Sequence, residues 1–357
     1  MPKDFTNLLL EWNKTGNDRQ MPWKGEKDPY KIWLSEIILQ QTRVEHGLAY
    51  YHRFIERFPT MTDLAMATDE TVFKLWEGLG YYSRCRNLLI TARIVAFERG
   101  GVFPSTYEEI IQLKGIGAYT AAAIASFAFG QPFAVLDGNV FRVLSRYFGI
   151  NTPIDTTEGK KLYVLLANSL LDFSAPGTYN QAIMDFGAVV CKPRLPLCKT
   201  CILQPDCQAF KVGCVDQLPV KSKQLLRKTR FFYYFILSFK DQYYIRQRQS
   251  SDIWKDLHEW VLVEKEEELP LSTDFNKVLN QVYKGFKGTI TQISSPEVQQ
   301  LTHQTIRGRF IHVQLQKPLA SETDLKLVSQ TDLKNFAFPK FINAYFQAFT
   351  RRVPPGG

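Results

Sequence analysis

"LKGIGAYTAAAIASFAFGQPFAVLDGNVFRVL", residues 113–144, decides how this chain is built. Gly115 and Gly117 flank Ile116 between two helical patterns, so the connection is a tight turn. Without side chains there, backbone amides at a helix N-terminus can approach an anion, and a phosphate suits that place. The spacing equally suits a plain packing joint between two helices. "TAAAIASFAFG" is rich in alanine and stops at Gly130, as helices often do. Further on, "VLDGNV" sets Asp137 just ahead of another helix, where local sequence reads it as an N-cap.

Working outward, residues 1 to about 210 read mainly as helices. "DPYKIWLSEIILQQ" opens with Asp28 as N-cap and Pro29 at the first helical position. "TDETVFKLWEGLG" is amphipathic and stops at Gly78 and Gly80. Composition then changes. "RFFYYFILSFK", "QYYIRQR", "WVLVEK" and "FIHVQLQK" are β-branched and aromatic, which predicts strands. Between the two regions, "VKSKQLLRKTR" (220–230) carries basic side chains and no acidic one, and reads as a solvated, DNA-facing linker. The predicted fold class is mainly α, in four parts. A helical domain spans 1–214, a basic linker 215–229, a smaller α+β domain 230–348 and a flexible tail 349–357.

The chain has 357 residues, is 45% hydrophobic and carries a net charge of +9. It can bury a large core, and the basic excess fits a polyanionic partner. No run of 18 apolar residues suggests a membrane span. "MPKDFTNLLLEWNKTG" lacks the apolar core of a signal peptide, so a cytoplasmic location is expected, with thiols kept reduced. Four of the six cysteines, Cys191, Cys198, Cys201 and Cys207, crowd into "CKPRLPLCKTCILQPDC" (191–207) with gaps of six, two and five residues. One such loop can hold zinc or wrap an iron–sulfur cubane, and the spacing leaves both open. Cys85 and Cys214 lie outside the pattern.

Glu36, in "WLSEIILQQT", sits among Trp33, Leu34, Ile37 and Ile38, an apolar setting that would raise its pKa. The turn, Asp137 and the cysteine loop together resemble the helix-hairpin-helix glycosylase superfamily. "MPWK", "PYKIWLSEIILQQTRV", "RFPTMTDLAMATDETVFKLWEGLGYYSRCRNL" and "YNQAIMDFGAVVC" resemble its MutY-type adenine DNA glycosylases, nearly unbroken from about 10 to 210 and faintly to about 347.

The resemblance implies a [4Fe–4S] cluster on the four cysteines and a Nudix-like second domain that recognises 8-oxoguanine. It implies a bacterial, nucleoid-associated enzyme, expected to be monomeric, that removes adenine mispaired with 8-oxoguanine or guanine in duplex DNA. Glu36 then acts as acid and base, and Asp137 stabilises or traps the sugar cation, assisted by Tyr119 and Asn139. Tyr119 also stands where lyase-type relatives carry a lysine, which a phenol cannot replace as a Schiff-base amine. Trp23, Arg19 and Gln181 match the adenine pocket. Gln41, Thr42, Leu79 and Tyr81 match positions that fill the vacated space and contact 8-oxoguanine.

Departures are specific. Leu301-Thr302-His303 stands where the family often has Phe-Ser-His, and Phe141 replaces a lysine found in some members. The R-E-x-x-E-E helix of Nudix hydrolases is missing, so the second domain should read a base and not hydrolyse a nucleotide. Rival readings are a glycosylase for thymine or oxidised pyrimidines, a non-catalytic redox sensor on DNA, and a nucleotide pyrophosphatase.

Overall fold

The helix starts written into the sequence are realised as side-chain caps in the computed structural model, which describes residues 2–222, 227–249, 251–283, 287–319 and 323–352. Helix α1 spans Pro2–Thr15, α2 Pro29–Leu39, α3 Val44–Arg57 and α4 Met61–Met66. Then follow α5 (Asp69–Trp76), α6 (Tyr82–Arg93), α7 (Tyr107–Ile110) and α8 (Ala118–Phe129). The cysteine loop is preceded by α9 (Gly138–Phe148), α10 (Thr157–Leu170) and α11 (Pro176–Val189), and followed by α12 (Gln208–Lys211). Asp28 accepts from Tyr30 N ahead of α2, as predicted, and Thr60 and Asp63 form a reciprocal capping box on α4. Gly130 closes α8 at φ +64°, where a side chain would be strained.

Contacts divide the chain into two units: Met1–Ala67 with Arg86–Gln224, and Thr68–Cys85 with Leu225–Gly357. The sequence reading placed all of 1–214 in one domain. Thr68–Cys85 instead groups with the C-terminal residues, because Glu77 accepts from Phe338 N and Asn343 Nδ2 at 2.9 and 2.7 Å. Lys74 Nζ also donates to Phe336 O at 3.0 Å.

In the first unit, one core gathers Phe5 and Leu9 of α1 with Val143, Tyr163, Ala182 and Phe186 of α9–α11. The α9–α11 contact is close at one point. A Cβ on Gly187 would fall 2.7 Å from Asn139 Cβ, so glycine lets α11 pass the start of α9. The 115–117 turn is tight, as predicted, but its two glycines differ. Gly115 has φ +79°, and a Cβ there would meet Asn87 at 2.7 Å. Gly117 is the extended N-cap residue of α8, and its missing Cβ faces open space.

The second unit is a mixed sheet. Strand β1 spans Lys228–Phe239, β2 Gln242–Gln247, β3 His258–Glu259 and β4 Val261–Lys265; helix α13 is Phe275–Asn280. Then come β5 (Gly288–Ile293), β6 (Glu297–Gln300), β7 (Gln304–Leu315), β8 (Lys326–Ser329) and α14 (Lys340–Arg352). The main order is β3-β2-β1-β7-β5, with β1 and β7 parallel from Lys228↔Gln304 to Ser238↔Gln314. Phe232 to Leu237 are all buried, the continuous apolar run expected of a central strand covered on both faces.

Two predicted boundaries move. Within the expected linker, Ile154 N donates to Val220 O and Ser222 to Asp155, while β1 already begins at Lys228. Arg230 is held by Asp252 and Glu264 at 2.6 and 2.7 Å, so it is a strand residue and not a free linker cation. Linker residues 223–226 and tail residues 353–357 lie outside the described residues; 349–352 continue α14. Among the described residues no helix is long and apolar enough to cross a membrane.

Candidate active site

Every residue of α2 from Ile32 to Ile38 is buried, and Glu36 is among them. Burial pushes its carboxyl up to about 7; a hydrogen bond from Tyr119 opposes this, and nearby Asp137 adds to it. Tyr119 comes from the first turn of α8, just past the glycine turn, so the hairpin geometry sets the phenol against α2. Burial also raises Tyr119 well above the ordinary phenol range, keeping it a donor.

Asp137 caps α9 as its local sequence suggests. It accepts from Asn139 N and Val140 N, both at 2.8 Å, and from Asn139 Nδ2 at 2.7 Å. Burial still raises its pKa against those donors. The loop that carries it is tied down by Asn180, which donates to Ser126 Oγ and Phe133 O and accepts from Val135 N. Asn139 is oriented in turn by buried Arg142, whose Nη2 donates to Asn139 Oδ1 and Gly187 O. The same guanidinium reaches Cys191 O through Nε at 2.7 Å.

Both carboxyls face a cavity of about 450 Å³. It brings together Arg19, Trp23, Glu36, Gln41, Thr42, Tyr119, Asp137, Asn139 and Gln181, residues that span more than 160 positions in the chain. Gly115 and Gly117 are not in its lining; the turn is linked to α2 by Gln40 Nε2, which donates to Gly115 O and Thr120 Oγ1. Leu79, Tyr81, Thr302 and His303 belong to the second unit and do not line it. There Leu79 is buried, whereas Tyr81 is exposed at φ +48° and its hydroxyl bonds to that of Thr302. Gln41 is also at positive φ, +55°. Both are non-glycine residues in a sparsely populated region, which gives their side chains an imposed direction. Leu301 N donates to Gln304 O at 2.8 Å, so Thr302 and His303 form the exposed tip of the β6–β7 turn.

Sequence reasoning missed Met184, whose Sδ lies 3.9 Å from Tyr119 Oη, and Asp185, fully buried beside Arg19 and Lys24. The one signal for Asp185 was its place four residues after Gln181 on the same helix.

Among the described residues no cysteine is joined in a disulfide. Cys191, Cys198, Cys201 and Cys207 line a single cavity with Val190, Leu197, Phe210 and Val215, and Arg146 Nη1 points to Cys191 Sγ at 3.5 Å. Cys85 and Cys214 take no part in it. Among the described residues no three His, Cys, Asp or Glu side chains converge closely enough for one metal ion. Burial pushes Cys201 up to about 11 and raises Cys198 and Cys207, which favours their neutral thiols.

The model of the HhH-GPD superfamily of base excision DNA repair proteins matches residues 34–165. An adenine DNA glycosylase of Buchnera aphidicola (subsp. Baizongia pistaciae) is 38% identical over 255 residues, 71% of this chain and 72% of that protein. The chain belongs to the adenine DNA glycosylase family. It is thus an enzyme, and the cavity with two buried carboxyls is its candidate active site. The adenine DNA glycosylase of Homo sapiens is 44% identical to this glycosylase over 215 residues, 57% of this chain and 39% of the human protein. Its helical fold also matches a thermostable thymine-DNA glycosylase with a TM-score of 0.55 at 31% identity, covering 59% of this chain and 97% of that one. A non-covalent endonuclease III–DNA complex matches in fold at a TM-score of 0.52 and 20% identity, over 60% of this chain and 98% of that one.

Proposed function

We propose that this glycosylase excises adenine paired with 8-oxoguanine, or with guanine, in double-stranded DNA, acting as a monomer in the bacterial cytoplasm. The observation that carries this reading is Glu36: a buried carboxyl, pushed up to about 7, sharing one cavity with Asp137. Adenine is a poor leaving group and needs a proton. A general acid poised near neutral pH supplies it, to N7, once the base has left the duplex. The N-glycosidic electrons leave with the base, and the sugar becomes an oxocarbenium ion. Asp137 stabilises that cation or adds to it, the division of labour that paired carboxylates have in O-glycosidases. Glu36, now ionised, takes a proton from the attacking water. Tyr119 and Asn139 hold the two carboxyls in place.

Arg19, Trp23 and Gln181 form the wall that receives adenine. Gln41, Thr42, Leu79 and Tyr81 fill the vacated space, and Gly117, open to solvent, lets backbone amides approach a phosphate. No lysine is found in the cavity lining among the described residues, which supports base removal without lyase chemistry. The four cysteines fit a [4Fe–4S] cluster, which would supply a redox-active inorganic staple closing the loop. The second unit serves as a Nudix-like reader of the oxidised base through Thr302 and His303.

Single-turnover cleavage after alkali tests the reading on four duplexes: A opposite 8-oxoguanine, A opposite G, T opposite G, and thymine glycol. Adenine should be released, fastest opposite 8-oxoguanine; release of thymine or its glycol at comparable rates overturns the assignment. Purified enzyme should contain four irons per chain, lost in Cys198→Ser. Stoichiometric zinc without sulfide would overturn the cluster.

A further inference from the structure

Asp185 has no part in the chemistry above, yet it is fully buried on α11 with four close donors. Its Oδ1 accepts from Arg19 Nη1 at 2.8 Å and from Gln181 Nε2 at 3.0 Å. Its Oδ2 accepts from Asn17 Nδ2 at 2.9 Å and from Lys24 Nζ at 3.2 Å. Two of these partners, Arg19 and Gln181, line the catalytic cavity, whereas Asn17 and Lys24 do not. A bland reading makes Asp185 a tie between the 17–24 segment and α11. The chemistry of its partners says more. A carboxylate only accepts, so Gln181 must turn its NH2 toward Asp185, and its carbonyl end is what remains for the cavity. Arg19 is held by one nitrogen and keeps its others as donors.

We infer that Asp185 is a positioning residue that sets the hydrogen-bonding face of the base pocket, and through it the choice of base. With its amide fixed, Gln181 offers Oε1 to the exocyclic amino group of a 6-aminopurine. A 6-oxopurine would place its carbonyl oxygen against that acceptor, with no proton between them. The inference rests on the proposal that the extruded base enters this cavity. Asp185→Asn keeps the volume but removes the charge and adds a donor, so the Gln181 amide is free to turn over.

The test is single-turnover excision of adenine and of hypoxanthine, each opposite 8-oxoguanine, with thermal melting measured alongside. The wild type should favour adenine, and Asp185→Asn should lower the adenine-to-hypoxanthine rate ratio by about tenfold, the scale of one mismatched polar contact. Equal loss on both bases, or an unchanged ratio, overturns the inference and leaves Asp185 a structural tie. If Asp185→Asn does not melt cooperatively, Gln181→Met takes its place. It leaves Asp185 three of its partners and should lower the same ratio; an unchanged ratio is again fatal. A wild type that releases no adenine removes the underlying reading and the inference with it, whereas an active wild type with an unchanged variant ratio removes the inference alone.

Discussion

Glu36 in the helical unit and the Leu301–Gln304 turn in the sheet unit occupy opposite surroundings. Glu36 is 7% exposed, walled by α2, α8 and the loop before α9, with its carboxyl pushed up to about 7. Thr302 and His303 stand exposed on a hairpin tip, held by its backbone hydrogen bonds and by the bond between the Thr302 and Tyr81 hydroxyls. The contrast follows from the tasks proposed for each. Holding a carboxylic acid protonated near neutral pH requires that water be removed from it, and only a packed interior does that. Telling one base from another requires donors and acceptors that a partner can reach, which an exposed turn on a stiff sheet supplies. Substitutions in the first region should therefore stop chemistry, and those in the second should blur selection.

The largest effect is expected at Glu36. Glu36→Gln preserves shape and cannot donate the proton, so single-turnover adenine release should fall by about a thousandfold or more while duplex binding persists. Retained turnover would take the acid role away from it. Asp137→Asn should follow, losing about a hundredfold, because a neutral amide cannot balance a cationic sugar. Since asparagine also caps helices well, its melting temperature should change little, which separates this loss from unfolding.

Burial of Glu36 also carries a stability cost with a defined pH window. Below its ordinary value of 4.5 the carboxyl is protonated in folded and unfolded chains alike. Between there and about 7 the unfolded chain ionises first, so stability falls as pH rises, and then levels off. Glu36→Gln escapes this. Relative to the parent it should gain about 2–3 kcal/mol in denaturant titrations at pH 8 compared with pH 4. An equal gap at both pH values would mean that Glu36 is solvated.

The smallest effect tests the other region. His303→Ala should lower the preference for A opposite 8-oxoguanine over A opposite G by about tenfold, with excision of bound adenine unchanged. If discrimination survives, the Leu-Thr-His turn is not the reader, and Thr42, Leu79 and Tyr81 must carry it.

Sequence alone determined the local framework: the Asp28 cap, the stop at Gly130, the turn at Gly115 and the apolar strands of the second unit. These are set by side chains within about four residues, or by a two-residue alternation, so they can be read without knowing the fold. It also indicated the apolar company of Glu36, because Trp33, Leu34, Ile37 and Ile38 flank it on α2. Tertiary structure decided the rest. Asp185 meets Asn17 and Arg19 across 168 and 166 residues, Arg142 meets Cys191 across 49, and Tyr81 meets Thr302 across 221. No periodicity encodes such pairs, since they follow from how helices pack, as where Gly187 lets α11 pass Asn139. The same packing draws Thr68–Cys85 toward the C-terminal residues: an ordinary surface glutamate, Glu77, becomes their anchor only when Phe338 and Asn343 are brought to it. Whether a carboxyl is solvent-facing or desolvated is a property of what surrounds it in space, and that is fixed only when the whole chain has folded.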